Sequence, residues 1–339
     1  MIAPSEQEKL PYDESNLVHT SAAVRELPIR ERIGFSIEAK NAVDALMKVR
    51  EAESAGLRQV WMTVPGSGNA DALTVYAAAV MQTNRIRVGT SILPIYTRHP
   101  LVAASQALAV NDLAPGRLRL GLGPSHRHVI EQAYGLSMKS PLTYLKEYVT
   151  ILRSALWEGK INFHGKFFNV TATLPRKAQI PLLVSALGVN AFHVAGEISD
   201  GAISWMCPAP YLVEKALPAL RAGAKALNRP VPPVIAHVLV ALSDDASLTR
   251  AAVRQKILFY MKAPFYLKMF SEAGFPVSED ESTVDRLGDS LLVSGNEETL
   301  KRRLLGLMEN GLDELLIGFV PILDEESERK RLLQLIGSL

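Results

Sequence analysis

The sequence contains a single cysteine, Cys207, among its 339 residues. A disulfide within the chain is therefore impossible, and a metal site made of several thiolates is excluded. The first residues also lack the basic segment and apolar run of a secretory signal. Together these absences predict a cytoplasmic protein in a reducing compartment, in which Cys207 is a small buried side chain.

Neither sign of charge is in excess, since 37 lysines and arginines stand against 35 aspartates and glutamates. Nucleic acids and anionic membranes are bound through a surplus of positive charge, so the sequence predicts neither partner. No apolar run approaches the roughly 18 residues of a transmembrane helix. The histidines share no spacing that would build a metal site, and structural roles are expected for His19, His128, His164, His193 and His237.

Aromatic residues make up only 6% of the chain, whereas hydrophobic residues make up 48%, which predicts a large aliphatic core. From Arg32 almost to the end, short apolar runs alternate with helical patterns, as in the βα units of a parallel sheet. This alternation predicts an α/β fold, a (β/α)8 TIM barrel in residues 32–339, preceded by an extension in residues 1–31. The predicted strands are 33–37, 60–64, 86–92, 117–122, 182–185, 202–205, 234–241 and 315–320.

Two segments depart from this rhythm. Residues 160–173 follow the fourth βα unit and alternate around His164 and Gly165, which predicts a small hairpin insertion. Residues 243–288, after the seventh strand, form a longer insertion that is helical in part, and its aromatic stretch 259–275 predicts a lid. After it, Ser294 with Glu297 resembles a capping box at the start of a helix.

The C-terminal ends of the strands carry the chemistry in a (β/α)8 barrel. Segment 121–126, GLGPSH, follows the fourth strand; its glycines allow close approach of a planar ligand, and Pro124 stiffens the turn. His126 has an unperturbed pKa of about 6.5 and is a candidate general acid or base, although a structural histidine is an equally open interpretation. Glu38 is either a second acid or a partner in a surface ion pair.

Other strand ends offer candidates for binding a ligand. Arg98 and His99 precede a helix whose N-terminus favours anions; helix capping is the alternative and is favoured for His99. Residues 186–190 form either a backbone nest for a cofactor phosphate or ribityl chain, or an ordinary βα turn. Trp61 and Trp205 are either walls for a flat ring system or core side chains.

Five motifs follow one another along the chain: RIGFSIE at 32–38, RVGTSI at 87–92, RHP at 98–100, GRLRLGLGPSH at 116–126 and DG at 200–201. Their order resembles the luciferase-like monooxygenase superfamily, and most closely its branch that uses the deazaflavin coenzyme F420. The likeness covers about residues 32–320. It implies a bacterial-luciferase-like (β/α)8 barrel.

The resemblance also implies a bulge after the third strand, with a non-proline cis peptide bond between Ser91 and Ile92 that backs the central ring of the deazaflavin. Backbone groups of Leu187 and Gly188 are implied to contact the cofactor. The expected cofactor-binding residues are Ser91, Ile92, Arg98, Gly123, Ser125, Leu187 and Gly188. The expected substrate pocket is lined by Trp61, Tyr96 and Trp205.

The chain departs from its deazaflavin relatives at three places. Many of them carry an Asp–His pair after the second strand, where this chain has Val64 and Pro65. The sugar-phosphate dehydrogenase of this branch has a glutamate acid at the position of His126 and a phosphate-binding threonine at that of Trp205. A sugar phosphate is therefore not expected as substrate, and the pocket is predicted to be apolar and aromatic.

These features predict hydride transfer between coenzyme F420 and an apolar small-molecule substrate, with His126 exchanging the proton and Glu38 as a second acid candidate. Two alternatives stay open: a two-component monooxygenase that uses reduced FMN and dioxygen, and a non-catalytic flavin-binding barrel. Relatives are commonly dimers that pack helices from the first few βα units, so the resemblance implies a homodimer.

Overall fold

The computed structural model describes residues 21–63, 70–276 and 280–339. Eight parallel strands pair side by side in a ring, and the last strand, Glu314–Phe319, pairs with the first, Ile33–Ile37. The fold is a closed (β/α)8 TIM barrel, which confirms the prediction from the sequence. Val64 and Pro65, where the chain departs from its relatives, lie outside the described residues.

The strands lie close to their predicted bounds. In chain order they are Ile33–Ile37 (β1), Gln59–Met62 (β2), Arg87–Thr90 (β3), Leu93–Pro94 (β4), Leu118–Gly123 (β5), Lys160–His164 (β6), Asn169–Thr173 (β7), Leu182–Ser185 (β8), Gly201–Ser204 (β9), Val234–Ala241 (β10), Leu292–Ser294 (β11) and Glu314–Phe319 (β12). β4 and β11 are additions that pair with β5 and β10, and β6 with β7 forms a separate antiparallel hairpin. The other eight strands form the barrel.

Helices surround the barrel and also form its insertions. They are Ser21–Glu26 (α1), Ile29–Arg32 (α2), Ala42–Ser54 (α3), Ala72–Val80 (α4), Pro100–Leu113 (α5), Pro141–Arg153 (α6), Val189–Ile198 (α7), Ala209–Tyr211 (α8), Leu217–Ala226 (α9), Ala246–Met261 (α10), Pro264–Glu272 (α11), Glu281–Leu291 (α12), Glu297–Glu309 (α13) and Glu325–Gly337 (α14). Three π-helical segments are Val129–Ala133, Ser154–Glu158 and Leu212–Ala216. No helix in the described part of the chain is long and apolar enough to cross a membrane.

Asparagine and aspartate side chains cap several helices. Asn41, Asp71 and Asp245 each accept a hydrogen bond from a backbone N–H in the first turn of the helix that follows. α13 is capped in the same way by Asn296, whose side chain accepts from the N–H of Thr299. The predicted capping box at Ser294 is therefore wrong, because Ser294 is the last residue of β11.

The two insertions leave the barrel where the sequence places them. The β6–β7 hairpin follows α6, and the buried carboxylate of Glu147 holds its turn by accepting from three backbone N–H groups, those of Lys166, Phe167 and Phe168. After β10, helices α10, α11 and α12 form the longer insertion. Side chains of α10 and α11 pack over the C-terminal end of the barrel and contact residues that follow β5 and β9.

One layer of the barrel interior is built around Trp61. Its indole packs with four aliphatic side chains from other strands, Leu183, Ile203, Ile235 and Leu316. Gly89 leaves room for it, since a Cβ at that position would lie 2.3 Å from the ring. The expectation that Trp61 lines the substrate pocket is wrong, because its side chain is fully buried in this layer.

A buried ion pair lies at the N-terminal end of the barrel. The Arg119 guanidinium donates to both carboxylate oxygens of Glu314, at 2.6 and 2.7 Å. Nearby, α1 packs against the barrel: Val24 is buried, and Arg25 donates to Asp313 at 2.6 Å. The described part of the N-terminal extension therefore lies at the end of the barrel opposite the predicted site.

Candidate active site

The third barrel strand is interrupted at the barrel mouth. The peptide bond between Ser91 and Ile92 is cis, which confirms the implication of the resemblance. The Ser91 N–H donates to the carbonyl of Met62 at 2.9 Å, and β4 then resumes pairing with β5. This bulge turns the chain at the C-terminal end of β3, where the cofactor ring was expected.

The glycines of β5 allow close packing of the protein with itself. A Cβ on Gly121 would lie 2.0 Å from the carbonyl oxygen of Thr90. A Cβ on Gly123 would lie 2.3 Å from the Ser185 hydroxyl oxygen and 3.0 Å from Cγ1 of Ile92. Gly123 thus lets the bulge and β8 approach β5. The sequence predicts that the glycines allow close approach of a ligand, whereas here they allow close packing within the protein.

His126 lies at the mouth, in the turn that follows β5. The preceding Ser125 has a φ of 63°, in the left-handed region. The half-buried imidazole contacts three aromatic rings, His128, Tyr260 and Tyr266, with ring centroids 5.7, 6.2 and 6.0 Å away. Burial lowers the pKa of His126, and the nearby His128 lowers it further. The imidazole is therefore neutral at neutral pH and able to accept a proton.

Trp205 lies beside this turn, at the end of β9. Its indole stacks on the imidazole of His237 with ring centroids 3.7 Å apart and an angle of 17° between the planes. The indole Nε1–H donates to the hydroxyl of Tyr260 at 2.6 Å. Through Tyr260, Trp205 belongs to the same aromatic cluster as His126, so these two sequence candidates are brought together.

His237 supports the cluster from inside the barrel, in the structural role expected from the sequence. Burial lowers its pKa to about 3, and the charge of Lys256 contributes. The neutral ring accepts a long hydrogen bond, 3.4 Å, from the N–H of Met206. His237 therefore forms an uncharged platform on which the Trp205 indole lies.

This burial predicts a pH dependence of stability. The pKa of His237 is about 3 in the folded chain and about 6.5 when unfolded, so its contribution is complete above pH 6.5 and is lost as pH falls toward 3. Between pH 6.5 and about 5, this one group is expected to remove about 2 kcal/mol from the free energy of unfolding. Urea unfolding of the wild type and of His237→Gln at both pH values measures it. Equal losses in both proteins would contradict the assignment.

The residues after β4 have partners of their own. The Tyr96 ring stacks on Tyr144 with centroids 4.2 Å apart, and its hydroxyl donates to the carbonyl of Lys139 at 3.0 Å. Arg98 forms an ion pair with Asp71, the capping residue of α4, at 2.5 Å. The Arg98 charge is therefore already balanced within the protein.

Two further candidates, His99 and Glu38, lie toward the surface. His99 caps α5, because its Nδ1 accepts from the N–H of Leu101 at 3.2 Å, and this confirms the favoured interpretation. The exposed carboxylate of Glu38 lies 3.8 Å from the ammonium of Lys256, which is the surface pair that the sequence left open. As an exposed partner of a lysine, Glu38 is not positioned as a buried acid.

The turn before α7 is open on one side. Gly188 precedes the helix in extended conformation. Apart from its two neighbours along the chain, no atom of the described residues lies within 4 Å of the place where its Cβ would be. The carbonyl of Leu187 accepts from the Tyr211 hydroxyl at 3.0 Å, which fixes the turn. A ligand therefore has access to the backbone at Gly188.

Sequence reasoning missed Tyr260 and Tyr266 as individual members of the site. They lie on α10 and α11, with ring centroids 4.6 Å apart, while the preceding phenylalanines, Phe259 and Phe265, are exposed. The Phe–Tyr pair occurs twice in the sequence, and this repeat could have indicated the two tyrosines. In each pair the phenylalanine is exposed to solvent and the tyrosine packs against the barrel. In the described residues, no group of three or more His, Cys, Asp or Glu side chains is placed to hold a metal ion.

A (β/α)8 barrel with a half-buried histidine and an aromatic cluster at its C-terminal end is the architecture of an enzyme. The model of the luciferase-like monooxygenase family matches residues 28–314. The chain belongs to this family and is one of its oxidoreductases.

Proteins to which this chain is similar include two reductases and a monooxygenase. A 5,10-methylenetetrahydromethanopterin reductase from Methanolobus tindarius is 25% identical over 287 residues, 79% of this chain and 87% of the relative. The coenzyme F420 dependent tetrahydromethanopterin reductase of Methanopyrus kandleri is similar in structure, with a TM-score of 0.73 and 21% identity over 90% of this chain and 97% of that one. EDTA monooxygenase from Chelativorans sp. BNC1 has a TM-score of 0.75 and 13% identity over 91% of this chain and 92% of its own.

Proposed function

We propose that the protein is a coenzyme F420-dependent oxidoreductase that acts on an apolar organic substrate, with His126 exchanging the proton. The sequence relative named above is a methylenetetrahydromethanopterin reductase, and the M. kandleri structure is named for its dependence on F420. The observation that carries the assignment of His126 is its neutral, half-buried imidazole at the mouth of the barrel.

The residues at the mouth fit a flat cofactor with a polar tail. The cis bond at Ser91–Ile92 forms a bulge at the mouth, and the backbone at Gly188 is open to a ligand. The buried hydroxyl of Ser36, next to the end of β1, has no hydrogen-bond partner in the described part of the structure. Ser91, Ile92 and Ser125 would hold the ring, with Gly123 packed against Ile92, and Leu187 and Gly188 would hold the tail.

The cofactor supplies hydride exchange when it is bound. The chain's own residues supply the rest: Trp205 and the lid tyrosines exclude water, and His126 takes or returns the substrate proton. The aromatic residues around the site disfavour a charged substrate. The described members of this cluster include no cation that would balance the charge of an anionic substrate.

The binding test compares coenzyme F420 with FMN by fluorescence titration. Micromolar binding of F420 supports the proposal; binding of FMN alone overturns it in favour of the monooxygenase alternative. Binding of neither flavin overturns it as well.

A charge variant locates the bound cofactor. Gly188→Glu adds a negative charge where the tail would lie and meets open space, so it is expected to weaken F420 binding about tenfold or more. Gly306→Glu is the matched control, since its Cβ also meets no atom within 4 Å and it lies on α13. Equal affinity of both variants would remove Gly188 from the cofactor site.

The homodimer also remains a proposal. Five exposed apolar side chains are found on or next to α3, α4 and α5, and these helices follow the first three barrel strands: Val43, Met47, Met81, Val102 and Leu113. Exposed apolar side chains on neighbouring helices support pairing with a second copy. Sedimentation of the purified chain as a monomer at micromolar concentration would contradict it.

A further inference from the structure

The hydrogen bond between Trp205 and Tyr260 has only one possible direction. An indole N–H donates and cannot accept, so the Tyr260 oxygen is the acceptor at 2.6 Å. The single hydroxyl hydrogen of Tyr260 is therefore left for another partner. None of the residues that the structure describes accepts it.

The Tyr260 hydroxyl lies inside the proposed site. Its ring contacts those of His126 and Tyr266, with centroids 6.2 and 4.6 Å away. Burial raises the pKa of Tyr260 to about 12, so the hydroxyl keeps its hydrogen throughout the physiological range. The Tyr260 hydroxyl is therefore an available hydrogen-bond donor that is held in place by Trp205. Its ring is in contact with the imidazole of His126, the proposed proton-exchanging group.

The charges around this donor select the kind of oxygen it can bind. His126 and His237 are neutral. The charge of Glu38 acts on Tyr260 and that of Lys256 on His237, and these two ions form a pair with each other. A carboxylate bound here would be buried without a countercharge, which costs several kcal/mol. A carbonyl oxygen loses little on burial when a hydrogen bond replaces its water.

We propose that Tyr260, held by Trp205, donates a hydrogen bond to the carbonyl oxygen of an uncharged substrate and so places that oxygen beside His126. This inference rests on the proposed function and narrows its substrate class to uncharged carbonyl compounds, or to the alcohols that correspond to them. Tyr260 is thereby a substrate-positioning residue, contributed by the lid.

The test uses the complex of the protein with F420 and a panel of cyclic and open-chain ketones, each matched with its carboxylic acid. Ketone binding is followed by the infrared carbonyl stretch of the bound ketone and by its dissociation constant. The wild type is expected to bind ketones at least tenfold more tightly than the matched acids, with a lowered carbonyl frequency. Tyr260→Phe is expected to lose about tenfold in ketone affinity and to return the frequency toward its unbonded value.

Two variants separate this role from lid packing. Tyr266→Phe removes a neighbouring hydroxyl from the same lid and is expected to leave the carbonyl frequency unchanged. Trp205→Phe removes the indole N–H and is expected to broaden or shift the carbonyl band while Tyr260 is still present. Affinity for F420 is expected to be the same in all these proteins.

The outcomes distinguish the two proposals. If the wild type does not bind F420, the proposed function fails. If F420 binds normally but no ketone in the panel binds, or acids bind as well as ketones, the inference about Tyr260 is wrong. An unchanged carbonyl frequency in Tyr260→Phe also overturns it.

Discussion

Replacement of His126 by alanine is expected to lower kcat by a factor of roughly 10²–10⁴, the range that a positioned general acid or base contributes. The imidazole is half-buried among Tyr260, Tyr266 and His128, and its pKa is lowered by burial and by His128. Alanine removes the proposed proton-exchanging group but leaves the bulge at Ser91 in place. The affinity for F420 is therefore expected to change little.

The measurement is the steady-state oxidation or reduction of F420, followed by absorbance with an acceptor or donor that the wild type turns over. In the direction of substrate oxidation His126 must be neutral, so kcat/KM falls as the pH drops through its lowered pKa.

The exposed neighbour His128 supplies the matched control. His128→Ala removes the side chain that helps to lower the pKa of His126, so it is expected to raise that pKa and to move the acid limb to higher pH while kcat is kept. An unchanged kcat in His126→Ala would exclude proton transfer by this residue.

The barrel itself was predictable because its signals are local. Three strands have the same bounds in the sequence prediction and in the structure, Ile33–Ile37, Leu182–Ser185 and Val234–Ala241. Each is a short apolar run that is buried from end to end or nearly so. The hairpin and the cis bond at Ser91–Ile92 also follow from the residues in their own segments, the first by alternation and the second by resemblance.

Positions that depend on register were less predictable. Trp61 and Trp205 both occur near strand ends, but Trp61 is the third residue of β2 and Trp205 follows the last residue of β9. Because side chains alternate and each step moves along the strand by about 3.3 Å, this difference puts Trp61 in the core and Trp205 at the mouth. The predicted strand bounds were off by one or two residues at β2, which is enough to reverse the conclusion.

Contacts between distant segments could not be obtained from the sequence. Trp205 and Tyr260 are separated by 55 positions, and Arg98 and Asp71 by 27. Periodicity indicates that α10 is a helix, but it does not tell which of its side chains reaches an indole N–H across the barrel mouth. The role of Arg98 was open for the same reason, since its partner belongs to the preceding βα unit.

Replacement of Glu314 by leucine is expected to lower the free energy of unfolding by about 3–5 kcal/mol, because it leaves a buried charge without its partner. Glu314 is 2% exposed and Arg119 is 6% exposed, and the guanidinium donates to both carboxylate oxygens. Burial alone would raise the pKa of Glu314, but Arg119 lowers it overall, so the carboxylate stays charged in the interior. The attraction between two buried charges only about offsets the free energy that their desolvation costs. The lost stability of Glu314→Leu therefore comes from the guanidinium of Arg119, which is left buried without a partner.

That account predicts a rescue. In the double variant Arg119→Met, Glu314→Leu both charges are gone, and most of the lost stability is expected to return. Asp289→Asn is the matched control, because the pair of Asp289 with Arg250 is exposed at the surface and is expected to contribute little to stability. Urea unfolding of the four proteins measures the differences, while affinity for F420 is expected to stay constant because the pair lies at the opposite end of the barrel. A double variant as unstable as Glu314→Leu would show that the attraction within the pair, and not the orphaned charge, holds this end of the barrel together.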